Sequence, residues 1–398
     1  MPTPLGEPAA PPETTAPGTA TALLNAYRPG TDRFLSSPHR TLLARGTRAE
    51  VPYDERPLTR RVRSVLAERR AAGEPEPLVA GSVPFAPDAP AVLAVPESVR
   101  WAPALRHDPL IALPPPAPAH TDWRIREEPA AERYTEAVAA AVARMRAGEL
   151  RKAVLARTLE LTSPHRPDLP GLLARLAHRD PAGYTFAVPS GSGRTLVGAS
   201  PELLVSRSGG QLLANPLAGT APRSADLAED VQRAAALLES AKDLDEHALV
   251  VDAVREALAP YCTRLDIPER PTLVRTAALW HLSTTATGTL ADPSVCALEL
   301  ALALHPTPAV CGTPTGPARQ LIADAEPFDR GAYTGVVGWQ DAEGDGEWVV
   351  AIRCAEAEEN TLRLFAGAGV VAGSSPAAET AETTAKFRTM LGAVGAAR

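Results

Sequence analysis

In the segment KDLDEHALV, Asp243 and Glu246 stand three residues apart, and in ETAETTAK, Glu379, Glu382 and Lys386 are separated by three and four residues. On helices, each set shares one face. Oxygen ligands from two such faces could hold a hard dication, with Mg²⁺ favoured when waters and an anionic substrate complete the octahedron. Two solvated helix faces would show the same spacing, so spacing alone leaves both readings open.

Lys152, in GELRKAVLAR, carries a different signal. The chain has 40 basic residues, and only Lys152, Lys242 and Lys386 are lysines. A desolvated lysine can lose its proton, whereas arginine in practice never does. A lysine retained in so arginine-rich a chain is a candidate general base, although composition bias alone could also leave three. Glu202, in GASPELLV, follows a proline and precedes an apolar run; it reads as a buried acid with a raised pKa or as a charge at a strand edge. Arg353 interrupts the apolar strand VVAIRCA and must face a partner carboxylate or a ligand. His281, in LWHLSTT, is a satisfied core histidine or a site residue. In FAGAGVV, Gly367 and Gly369 let bare backbone approach a carboxylate, or else mark a bulge.

The elements that must position these groups follow from periodicity and punctuation. Up to about residue 125 the chain shows short apolar runs broken by proline, with one helix at PLTRRVRSVLAERRAAG. EEPAAERYTEAVAAAVARMRAG reads as a helix ending at Gly148, followed at once by the strand AVLARTLEL. YTFAVPSGSGRTLVGASPELLVSRSGGQLLANPLAG reads as antiparallel strands with turns at SGSG and SGG. One long helix is expected over Asp226 to Ala259, then strands alternating with helices near 296–304, 315–325 and 377–391. Strands joined by hairpins, with helices between groups, predict an α+β fold. A disordered leader over residues 1–22 and one large domain over 23–398 are expected, with no internal repeat.

Bulk properties narrow the partners. With 45% hydrophobic residues the chain can fill a sizeable core. A net charge of −7 without a basic run argues against nucleic acid. Cys262, Cys296, Cys311 and Cys354 form no CxxC pair, which favours reduced thiols in a cytoplasm. The N-terminal segment lacks a basic region followed by an apolar one, and eighteen apolar residues never run together, so neither export nor a membrane is expected.

Taken together, the strings FLSSPHRTLLARG, LRKAVLAR, GASPELLV, NPLAGTAPR, KDLDEHALVV, WHLSTTATGTL, ALHPTPAVCGTP, EPFDRGAYTGVVGW, GEWVVAIRCA, LFAGAGVV and SSPAAETAETTAKFRTML resemble the chorismate-utilising enzymes. They are most similar to the isochorismate synthases of siderophore and menaquinone pathways. The strings run in family order from about residue 34 to 391. The resemblance implies a single α+β domain in which two large antiparallel sheets pack as a sandwich flanked by helices. It implies Mg²⁺ held by Glu246 and Glu382, with Asp243 and Glu379 supporting it through its waters. Arg353, Tyr333 and the backbone around Gly367 would receive the pyruvyl carboxylate of chorismate, with Lys386 near the metal and the ring carboxylate. Gly219 and Thr220 would line the floor, with His281 beside the ring.

The implied reaction converts chorismate to isochorismate: Lys152 is the base that activates water for attack at ring carbon 2, and Glu202 is the acid that protonates the hydroxyl leaving carbon 4. An ordinary lysine titrates near ~10.4 and a glutamate near ~4.3, so the site must move both toward neutrality. Ala218 stands where aminodeoxychorismate-forming members carry a nucleophilic lysine, which speaks against that covalent route. Tyr333 stands where some isochorismate synthases have Phe and salicylate synthases commonly have Tyr, so pyruvate elimination to salicylate stays open as the alternative. A non-catalytic chorismate-binding homologue is the other. The resemblance further implies a monomer whose product feeds an isochorismate-using enzyme.

Overall fold

Period-two alternation sets the inner face of the longest strand, Lys152–Thr162. Ala153 and Leu155 join an apolar cluster with the helix Ala131–Arg146, while Ala156 joins a different cluster and Val154 faces a cleft. Lys152 shares the parity of Val154 and Ala156, so the strand aims it inward. The computed structural model describes residues 18–118, 122–191 and 193–396. Lys152–Thr162 pairs antiparallel along its full length with Thr361–Val371, Lys152 lying opposite Val371.

Among the described residues two large antiparallel sheets form the body, one of ten strands and one of nine, with a small three-stranded sheet beside them. They pack as the expected sandwich. Leu196 of the larger sheet and Val349 of the smaller belong to one apolar cluster, whereas their neighbours Val197 and Trp348 belong to clusters that include the flanking helices. A one-residue register slip would exchange these faces, forfeiting about 1.5–3 kcal/mol for each large apolar side chain exposed. Three free cysteines are buried and Cys262 is half-buried. Among the described residues no helix is long and apolar enough to cross a membrane.

Several expectations need correction. The last residues of the expected leader belong to the fold, because the helix Thr19–Ala26 buries Ala20, Leu23 and Leu24 in the core; the rest of it, residues 1–17, lies outside the described residues. The single helix expected over Asp226 to Ala259 is two, Leu227–Glu239 and Ala241–Leu258. Ser240 divides them: its hydroxyl caps the second by accepting from the Asp243 N–H. A helix at Leu169–Arg179, with Asp168 capping it through the Gly171 N–H, was not expected.

Two of the chain's crossings between the large sheets lie side by side. Pro201 and Glu202 link Arg194–Ser200 in one sheet to Leu203–Ser208 in the other; Ala351, Ile352 and Arg353 link Gly346–Val350 back to Cys354–Glu358. The crossings are stitched together, Ala199 N–H donating to Arg353 O and Val350 N–H to Glu202 O, each at 3.1 Å. Glu202 and Arg353 therefore sit in the seam of the sandwich.

Candidate active site

The seam opens into a cleft. Arg353 adopts φ 51° and Thr334, in the facing loop, φ 59°. Left-handed backbone at non-glycine residues is strained, and such strain concentrates where a side chain must be aimed. Arg353 is buried, and its guanidinium makes no hydrogen bond or ion pair among the described residues. Burial lowers its guanidinium to about 10, against the opposing pull of Glu382, Tyr333 and Glu202. A buried cation without a counterion needs an anion from outside.

Glu202 is the complementary case. Burial raises its carboxyl to about 7, although the Leu217 N–H, 3.4 Å away, and the charges of Lys152, Arg353 and Lys386 oppose this. The acid thus holds a proton for part of the time at neutral pH, the property that a proton donor needs.

Lys152 and the acidic helices meet at one wall. Lys152 Nζ pairs with Glu246 Oε1 at 2.8 Å, with only 1% of the lysine side chain exposed. Burial works to raise Glu246, but the charge and hydrogen bond of Lys152, together with the charges of Lys242 and Lys386, outweigh it and hold the carboxylate below its ordinary range. Lys386 Nζ pairs with Glu382 at 2.6 Å and donates to Gly367 O at 2.8 Å. Glu382, Lys386, Glu246 and Asp243 all face the cleft. Glu379 does not: it is 1% exposed and accepts from Lys242 at 2.8 Å behind that wall.

Glycines make the close approach possible. A methyl group on Gly369 would lie 2.2 Å from Glu246 Oε1 and 3.1 Å from Lys152 Cε; one on Gly367 would lie 2.9 Å from Tyr333 Oη. Gly369→Ala should therefore push the Lys152–Glu246 pair apart. We expect turnover to fall about 10²-fold with the far-ultraviolet dichroism unchanged, since displacements near 1 Å have that effect. Undiminished turnover would mean that the geometry of this pair does not matter.

The small sheet supplies the floor. Gly219, with φ 79° and Asp243 Cβ only 3.1 Å from where its own Cβ would be, and Thr220 both line the cleft. His281 lies opposite Thr220, Nδ1 to Oγ1 at 3.2 Å, and its buried Nε2 has no partner among the described residues. Burial, then Arg353 and Lys386, hold this imidazole well below its ordinary pKa, so it is neutral. Tyr333 stacks on Phe365 at 4.7 Å and lines an inner chamber continuous with the cleft through Arg353, Gly367 and Lys386.

The predicted site residues thus border the cleft or its inner chamber, except Glu379 and Lys152; Lys152 reaches the cleft wall through its ion pair with Glu246. Sequence reasoning missed Val154, Ala309 and Ile352, which line both spaces. It also missed His247, which fixes the acidic helix to the floor through Ala218 O (3.2 Å) and Thr284 Oγ1 (2.8 Å). Ala309 lies within ALHPTPAVCGTP, but no chemistry marks an alanine; His247, next to Glu246, was the one visible signal.

Among the described residues no three His, Cys, Asp or Glu side chains close around a common point as a formed metal centre. The donor set nonetheless fits a hard dication: it is all oxygen, from two helices, and under mutual repulsion. Burial raises Asp243, and Glu246 and Glu382 raise it further; burial and Glu382 likewise raise Glu379. Lysines balance these charges now, and a divalent cation could do so as well.

The profile of the family described as chorismate binding enzyme matches residues 106–395. The chain is 53% identical over 384 residues to the isochorismate synthase DhbC of Bacillus subtilis (strain 168), covering 94% of this chain and 96% of that one. It is 39% identical over 379 residues to the isochorismate synthase EntC of Escherichia coli (strain K12), covering 91% and 94%. The crystal structure of DhbC from Bacillus anthracis superimposes with a TM-score of 0.89 at 47% identity, covering 95% of this chain and all of that one.

Proposed function

The chain belongs to the chorismate-binding enzyme family, and on that premise we propose that it is an isochorismate synthase, an isomerase that converts chorismate to isochorismate. One observation carries the reading: a single cleft brings together a buried acid near neutrality, a carboxylate, Glu246, ion-paired to the buried Lys152, and a buried guanidinium that makes no side-chain ion pair among the described residues. The salicylate alternative draws no support from the relatives reported above.

The residues divide the work as follows. Lys152, as the neutral amine, takes a proton from water as the water oxygen bonds to ring carbon 2. The ring double bonds shift, the carbon 4 to oxygen bond breaks, and Glu202 donates its proton to the departing hydroxyl, which leaves as water. One water enters and one leaves, so the step is an isomerisation. Arg353, with the Tyr333 hydroxyl and the Gly367 backbone, receives the pyruvyl carboxylate, and a bidentate guanidinium suits that group. Neutral His281 stands beside the ring, and Gly219 and Thr220 support it. Glu246 and Glu382 would hold Mg²⁺, with Asp243 ordering its waters and Glu379 held behind that wall by Lys242; the ion would supply a template for the ring carboxylate and take up negative charge that Lys152 and Lys386 balance.

Incubation with chorismate and Mg²⁺, followed by chromatographic resolution of products, tests the reading. Isochorismate should accumulate, EDTA should abolish its formation, and Glu382→Ala should lower turnover by at least about 10²-fold. Salicylate with pyruvate, or no turnover, would contradict the activity; turnover insensitive to chelator would contradict the metal role.

A further inference from the structure

One buried ion pair plays no part in the chemistry above. Glu326 and Arg330, both with side chains at most 3% exposed, form a two-pronged contact, Nη2 to Oε1 at 2.5 Å and Nε to Oε2 at 2.8 Å. Neither lines the cleft or its inner chamber. Buried pairs are weak sources of stability, because desolvation offsets their attraction, and their best-attested use is to fix one arrangement.

The pair occupies the place of a missing strand. Gly312–Thr313 pairs with the lysine strand only at Ala153 and Lys152. Beyond that point Arg330 Nη2 donates to Val154 O at 2.7 Å, and Glu326 Oε1 accepts from the Ala156 N–H at 2.8 Å. The other prong, Arg330 Nη1, reaches Val310 O at 2.8 Å and Thr334 Oγ1 at 3.3 Å. Thr334 donates in turn to Tyr333 O at 2.6 Å while held at φ 59°. One guanidinium therefore joins three separate segments, and each contributes a wall of the inner chamber: Val154, Val310 and Tyr333.

We propose that Glu326 and Arg330 are positioning residues for the inner chamber, setting the distance between the lysine strand and the Tyr333 loop and hence the fit of the substrate carboxylate that meets Arg353. The proposal rests on the reading of that chamber as the carboxylate end of the chorismate site. Arg330→Lys keeps the charge balance with Glu326 but lacks the fork that spans the three segments. Steady-state kinetics at saturating Mg²⁺ should show the chorismate KM raised about tenfold with kcat within about threefold, the signature of lost binding rather than lost chemistry. The Mg²⁺ concentration for half-maximal activity should not move, because the acidic wall is untouched. Thr334→Gly, which removes the hydroxyl link and relieves the strained backbone, should raise KM in the same way without lowering Tm. A wild-type KM in either folded variant, or a shift in Mg²⁺ dependence with KM unchanged, overturns the proposal. Failure of the wild-type enzyme to convert chorismate is a separate result, which removes the reading itself and the proposal with it.

Discussion

Lys152→Ala should lower kcat by about 10³-fold, the contribution of a well-placed general base. The variant also leaves Glu246 buried beside the gap without its 2.8 Å partner, and an uncompensated buried charge destabilises by about 3–5 kcal/mol. Lost activity therefore needs a control that separates chemistry from folding. A small primary amine added to Lys152→Ala supplies the base without the side chain and should restore part of the rate, whereas it cannot repair a distorted fold. Lys152→Arg completes the series: it retains a cation for Glu246 but no group able to give up its proton, so it should be as inactive as the alanine variant. Rate in Lys152→Arg within tenfold of wild type would exclude Lys152 as the base.

Glu202→Gln keeps shape and burial while removing the transferable proton, and kcat/KM should fall about 10³-fold. The pH profile supplies the sign. Glu202 must be protonated to act as the acid, and burial holds it at about 7. Wild-type kcat/KM should therefore decline as pH rises through about 7, and the residual activity of Glu202→Gln should lack that decline. Stability follows the same linkage. A carboxyl raised above its ordinary 4.5 to about 7 in the folded chain stabilises the fold below 4.5, and that contribution is lost as pH rises through about 7. Glu202→Gln should flatten Tm over that interval. A glutamine variant with full activity, or with an unaltered alkaline limb, would remove Glu202 from the acid role.

The parts of this site that were legible in sequence are those whose chemistry is local. Lys152 stood out because arginine fills nearly every other basic position, and Asp243 with Glu246, like Glu382 with Lys386, because helical spacing is read directly from the chain. Partnerships across elements were not legible. Nothing in KDLDEHALV predicts that Glu246 pairs with a strand lysine, or that Lys242 pairs with Glu379 on another helix, because the docking of helices on sheets sets those distances. Arg353 illustrates the same limit: sequence offered a partner carboxylate or a ligand, and only the seam between the sheets shows that its guanidinium makes no ion pair among the described residues. The Ser240 break was hidden for a different reason. Apolar spacing continues across it, and the Ser-x-x-Asp cap was the one local signal. The helix Leu169–Arg179 was masked by Pro170 and Gly171 in its first turn, although Asp168 just before it is a strong capping residue.

The account stands or falls on the entry of water at ring carbon 2. Turnover of chorismate in ¹⁸O-labelled water, with the product analysed by mass and by nuclear magnetic resonance, tests this directly. The prediction is isochorismate carrying one labelled oxygen, located on the new carbon 2 hydroxyl, with the original carbon 4 hydroxyl lost to solvent. Unlabelled isochorismate, or salicylate in its place, would contradict it.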